Sequence, residues 1–155
     1  MSNRYCRLCF FFALLLSGLI IVGCDESPSG GSASSSPLKN EPAILDAVLA
    51  INVNDDRPDG ITNTFFSNVS DRIYLWMYWS HVPGRHTVEV RWFSPEQGLD
   101  EPPFRKDQET FSSSSGEQIT WFFVDRPSSG FPQGEWFVEV FLDTLFERSL
   151  VFEVK

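Results

Sequence analysis

His86-Thr87-Val88-Glu89-Val90-Arg91-Trp92-Phe93 alternates at period two. Val88, Val90 and Trp92 fall on one face and Thr87, Glu89 and Arg91 on the other, the pattern of a strand with one buried side. The runs around it read the same way. Downstream, residues 135–142 put Trp136, Val138, Val140 and Leu142 on one face and Glu135 and Glu139 on the other. Residues 148–154 align Leu150, Phe152 and Val154. Upstream, residues 43–53 offer Leu45, Ala47, Leu49, Ile51 and Val53 to a single face. Residues 72–80 and 118–124 are aromatic and β-branched, and residues 109–111 form a short, poor candidate. Turn formers punctuate these runs at residues 56–60, 82–84, 95–98 and 127–130. No segment shows a helical period with caps.

Seven strands within residues 43–155, joined by short links, predict an all-β, two-sheet antiparallel sandwich. The pattern resembles the immunoglobulin-like or fibronectin-III-like modules of bacterial envelope proteins. Residues 134–143, followed by Phe152-Glu153-Val154, look like the closing hairpin of such a module, turning across Asp143-Thr144-Leu145-Phe146. The resemblance is architectural and brings no site residues with it. The chain departs from antibody-type domains because its three cysteines, Cys6, Cys9 and Cys24, all precede the strands. Stability must then come from the apolar core, without a disulfide.

Outward from the strands, residues 25–42 read DESPSGGSASSSPLKNEP. Almost nothing there can be buried, so a flexible tether is expected, with an r.m.s. length of about 5–6 Å times the square root of its residue count. Before it, Arg4 and Arg7 precede an apolar run over residues 8–22, and Ile21-Val22-Gly23-Cys24 follows. These are the parts of an export signal. The run is shorter than the ~20 residues of a permanent membrane span. The segment resembles a bacterial lipoprotein signal peptide: Ile21, Val22 and Gly23 match the lipobox, and by that resemblance Cys24 becomes the diacylglyceryl-modified first residue of the mature chain. The resemblance implies residues 1–23 as signal peptide, 24–42 as lipidated cysteine and linker, and 43–155 as the sandwich. It also implies a palmitate-type lipid anchor on the extracytoplasmic side of a bacterial membrane. Asp25 resembles the inner-membrane retention signal of enteric-type bacteria. Several acyl chains hold firmly where one holds marginally, each buried methylene contributing about 0.8 kcal/mol.

The whole chain carries 12 basic and 21 acidic residues, a net charge of −9. Losing Arg4 and Arg7 with the signal leaves ten basic residues against the same 21, or −11. Such a domain does not suit nucleic acid or adhesion to anionic lipid.

Candidate chemistry is sparse. His81 and His86 flank a turn, without further zinc ligands in view. Asn54, Asp55, Asp56 and Asp59 offer oxygens in one turn, but the spacing is not that of a calcium loop. Glu135 and Glu139 lie about 13 Å apart along a strand, beyond the ~5–9.5 Å of glycoside chemistry. Ser112–Ser115 reads as a loop without a nucleophile motif, and Asn68-Val69-Ser70 as an uninformative glycosylation match in a bacterial-looking chain. No catalytic residue, metal site or cofactor is expected beyond the covalent lipid.

Residues 72–80 are the anomaly. With Ile73, Leu75, Met77 and Trp79 in the core, Tyr74, Trp76 and Tyr78 face outward, joined by Phe122 if Ile119, Trp121 and Phe123 point inward. An exposed sheet face should read polar, and an aromatic stripe marks a binding surface unless something covers it. Residues 98–105 are a candidate cover, and inversion of the faces is a further alternative. The expectation is a non-catalytic module binding an envelope protein or glycan. The alternatives are a carbohydrate-binding module using the stripe and an inhibitor of envelope proteases.

Overall fold

The computed structural model describes residues 41–97 and 101–155, which form two packed sheets. Nine strands occur among them: β1 Ala43–Asn54, β2 Arg57–Ile61, β3 Thr64–Phe65, β4 Arg72–Ser80, β5 Gly84–Phe93, β6 Arg105–Ser113, β7 Glu117–Asp125, β8 Gly134–Leu142 and β9 Leu145–Val154. One sheet runs β2-β1-β4-β7 and the other β3-β9-β8-β5-β6. All pairs are antiparallel except β3 with β9. The seven expected strands are present; β2 and β3 are additional, and the β3–β9 pairing is parallel where an all-antiparallel arrangement was expected. The signal peptide and lipobox (Ile21, Val22, Gly23, Cys24) and residues 25–40 of the tether lie outside the described residues.

The alternating runs do what their patterns require. Val88, Val90 and Trp92 of β5 and Trp136, Val138, Val140 and Leu142 of β8 are buried between the sheets. Trp136 packs at 5.7 Å on Phe152 of β9, with Phe104 and Phe131 edge-on at 5.0 and 5.9 Å. Its indole N–H donates to the Pro132 carbonyl at 2.8 Å. Trp79 donates to Thr120 Oγ1 at 2.8 Å. Trp92 Nε1 is buried and has no hydrogen-bond partner among the described residues.

Three local expectations change. First, β1 does not keep Leu45, Ala47, Leu49, Ile51 and Val53 on one inner face. A bulge between Ile44 and Asp46 turns Ile44 inward and leaves Leu45 59% exposed. Pairing of β1 with β4 ends at Ala50, so Ile51 lies beyond the sandwich and is exposed. Secondly, the turn expected at residues 56–60 is mostly strand. The reversal is made at Asp55 and Asp56, both in the left-handed region (φ 48° and 57°), which Asp tolerates in two-residue hairpins. Gly60 (φ 66°) is required because a Cβ there would collide with the Ile51 side chain. Thirdly, the charged β6 extends over nine residues because its whole length pairs with β5. The β8–β9 turn is tighter than expected, needing only Asp143 and Thr144 (φ 48° and 76°), and Leu145 already pairs with Leu142.

Candidate functional site

Register assembles the outer face of the first sheet in rows. Tyr74 of β4 lies between Ala50 of β1 and Phe123 of β7, with Ile61 of β2 beyond Ala50. Trp76 lies between Val48 and Trp121, and Tyr78 between Asp46 and Ile119. Directly opposed residues share a face, so β7 contributes Ile119, Trp121 and Phe123 to this side. Phe122, expected on the stripe, is instead only 6% exposed and belongs to the core. The cause is Thr120: the buried Trp79 indole needs an acceptor, Thr120 turns inward to supply it, and Phe122 and Val124 follow by alternation.

The rings pack on one another. Tyr74 sits 5.6 Å from Phe123 and 6.2 Å from Trp121, and Trp121 stacks on Phe123 at 6.4 Å. The Arg72 guanidinium lies 4.3 Å over the Phe123 ring and donates through Nε to Asp125 at 2.7 Å. Hydrogen bonds to Tyr74 and then Asp125 raise its pKa. Tyr78 is raised too, chiefly by its hydrogen bond with the Glu117 carboxylate.

The described cover comes from the β1–β2 hairpin; of the expected cover, residues 98–100 lie outside the described residues, and Glu101 and Pro103 line a cleft with Arg91 and Phe137 of the other sheet. The hairpin tip reaches across the face: Trp76 Nε1 donates to the Asp56 carbonyl at 2.7 Å, and Trp121 Nε1 to Asp56 Oδ1 at 3.3 Å. Cover is incomplete. Tyr74 is 8% exposed and Trp76 and Tyr78 are half-buried, whereas Trp121 remains 39% exposed. Through Arg72 and Tyr74 the face continues into an open cleft of about 530 Å³, whose rim carries the exposed Ile51, Phe66 and Val69.

The outer face of the second sheet also holds rings, and charges close over part of them, while Phe146 beside Phe141 and Val151 beside Phe137 stay exposed. Phe93 and Phe137 stack at 4.4 Å. Arg91 lies 4.1 Å over Phe141 and pairs with Glu89, which also binds Lys106 at 2.8 Å. Partial burial works against ionisation of Glu89, but the Lys106 and Arg91 hydrogen bonds outweigh it and hold the carboxyl below its ordinary value.

The remaining candidates are engaged elsewhere. His86 faces Asp143 Oδ2 at 2.7 Å and the Pro83 carbonyl at 3.2 Å. Asp143 also accepts from the Thr87 N–H at 2.8 Å. Burial opposes its ionisation, yet the Thr87 and His86 bonds together lower its pKa. His81 Nδ1 lies 3.1 Å from the hydroxyl of its chain neighbour Ser80. Glu117 and His81 line one small cleft, but the Glu117 carboxylate bonds Tyr78 rather than orienting the imidazole. Asn54 donates to Asp59 within the hairpin at 3.3 Å. Glu139 lies across from Arg91, and Glu135 from Glu153. No group of three or more metal-ligating side chains occurs among the described residues.

No protein-family model matches the chain, and no curated protein matches it. Among solved structures, an immunoglobulin-like protein of Pseudomonas aeruginosa is similar at a TM-score of 0.52 and 12% identity, over 74% of this chain and 97% of that one. That likeness shows the fold, an immunoglobulin-like β-sandwich. An alkylpurine DNA glycosylase of Pseudomonas fluorescens, solved on DNA containing an abasic-site analogue, is similar at a TM-score of 0.48 and 12% identity. The match covers 74% of this chain but only 30% of the glycosylase.

Proposed function

We propose that the chain is a cell-envelope lipoprotein whose immunoglobulin-like domain is a non-catalytic binding or scaffolding module. Cys24 carries the lipid, residues 24–42 form the tether, and residues 43–155 meet the partner. The contact surface is the outer face of the first sheet, centred on Trp121 and flanked by Tyr74, Trp76 and Tyr78. The anchor confines the module to one membrane surface, on the extracytoplasmic side, and the tether raises the effective concentration at which it meets a neighbour there. The inner membrane is the expected address if the source is enteric-type, because of Asp25.

The observation that carries this reading is the aromatic-rich outer face of β4 and β7, with an indole left partly open and a neighbouring cleft of mixed lining that exposes Ile51, Phe66 and Val69. Large Trp and Tyr side chains are the usual anchors of protein contacts. A photo-crosslinking residue in place of Ile119, on the same face beside Trp121, in intact cells, should capture an envelope protein. The same residue in place of Thr87, on the other sheet, should not. Equal capture from both positions rejects the assigned face, and capture of polysaccharide converts the module into a carbohydrate binder. Mass spectrometry of the mature protein should find acyl chains on Cys24.

A further inference from the structure

The first sheet ends at β7, whose second side pairs with no strand among the described residues. Alternation sends the N–H and C=O groups of Ile119, Trp121 and Phe123 to that free side, the same residues whose side chains form the outer face. Two bonds agree with this. The Ile119 carbonyl is met only by the side-chain amide of its neighbour Gln118, at 2.8 Å. Arg126, of opposite parity, sends its N–H to the Asp71 carbonyl on the β4 side at 2.9 Å. β7 is nine residues long and apolar through its centre. Sheets normally blunt such edges with charge, as β6 does with Arg105, Lys106 and Asp107.

Charge differs between the two ends of β7. At one end Asp125 is bridged by Arg72 at 2.7 Å, and Asp71 by Arg126 at 2.6 Å. At the other, Glu117 and Asp56 line a common cleft, and neither has an ion-pair partner among the described residues. We infer that the free edge of β7 takes up an extended segment of an envelope protein as an added strand, and that this segment carries Lys or Arg where it passes Glu117. The inference rests on the contact face proposed above and specifies its partner. Main-chain bonds to β7 would supply affinity, alternate side chains would lie beside Trp121, and the cation would supply direction. A second copy fits less well. Two-fold pairing about Trp121 sets Glu117 of one chain against the Asp125 end of the other, whose arginines Arg72 and Arg126 are already paired, and joins two mature chains of charge −11.

The test uses the full lipidated chain in detergent micelles and labelled synthetic peptides of about nine residues, the length of β7. The peptides alternate Val and Thr and end in two lysines or two glutamates, placing those residues at Glu117 in an antiparallel strand. The lysine peptide should bind at least about tenfold more tightly, as expected for complementary rather than like charge. Glu117→Lys should reverse the order, and N-methylation of the peptide amides facing β7 should abolish binding. Equal binding of the methylated peptide, or no preference for lysine, overturns the inference. A β7-dependent dimer in sedimentation, without peptide binding, overturns it in favour of a second copy. Failure of every peptide while position 119 still captures a protein in cells rejects strand addition but leaves the contact face. Failure of both removes the two together.

Discussion

The two outer faces of this sandwich contain similar rings and differ in how far a network of charges organises them: each sets one arginine over a phenylalanine, but only the β5–β8 side ties that arginine to a carboxylate shared with a lysine. On the β5–β8 side, Phe141 lies beneath Arg91 and the stacked Phe93 and Phe137 share a cleft with it, and Glu89, itself bound by Lys106, holds Arg91 in place. The aliphatic stems and planar head of such side chains cover apolar area while keeping charge in water. On the β4–β7 side the rings mostly cover one another, Arg72 lies over Phe123 at one end, and Asp56 of a distant turn meets the two indoles, which leaves Trp121 partly open. An aromatic sheet face is therefore informative only once its charged neighbours are placed.

Substitutions can break or sharpen that contrast, with the shared core as the upper reference. Trp136→Ala and Trp92→Ala should each destabilise the full chain by about 3–5 kcal/mol in denaturant titrations. Trp92→Phe should cost less than Trp79→Phe, because the Trp92 N–H has no partner to lose whereas Trp79→Phe leaves Thr120 Oγ1 buried without its donor. Trp76→Ala comes next, at about 1–3 kcal/mol, since it removes a half-buried ring and the bond that holds the hairpin tip. If it equals Trp92→Ala, the face is core and the contrast fails. Trp121→Ala should cost about 1–2 kcal/mol, since it removes a part-buried ring stacked on Phe123 and one long hydrogen bond, while abolishing capture by the probe at position 119. Arg91→Ala should cost about 0.5–1 kcal/mol, the range for an exposed cation over a ring, without touching capture.

The smallest effect is a pH dependence confined to the charged face. Glu89 is held below its ordinary value of 4.5, so the native state binds fewer protons than the unfolded chain in that range. Its contribution is complete above that value and fades as pH falls through the lower native one. Glu89→Gln should flatten the acid side of the melting curve. Trp121→Ala should leave it unchanged.

Legibility in the sequence followed the same division. β5, β8 and β9 could be oriented because their two faces differ in polarity. β7 could not, because Ile119, Trp121 and Phe123 are as apolar as Phe122 and Val124, and the deciding bond joins Thr120 to a residue 41 positions away. Thus Tyr74, Trp76 and Tyr78 were readable as outward, while Phe122 was misplaced and Trp121 missed. β2 was hidden by Pro58 and Gly60, turn formers that an edge strand accommodates, and β6 by its charge. The reach of Asp56 to Trp76 is a tertiary contact with no local signature.

The Asp55-Asp56 reversal has a practical consequence. The segment carrying it has left the sandwich, so its length can change without repacking any buried side chain. Lengthening it would draw a visor over the indoles, and trimming it would uncover a broader landing area. Provided the Asp56 carbonyl that meets Trp76 is kept, exposure of the aromatic face can be adjusted at this corner with little change in the core.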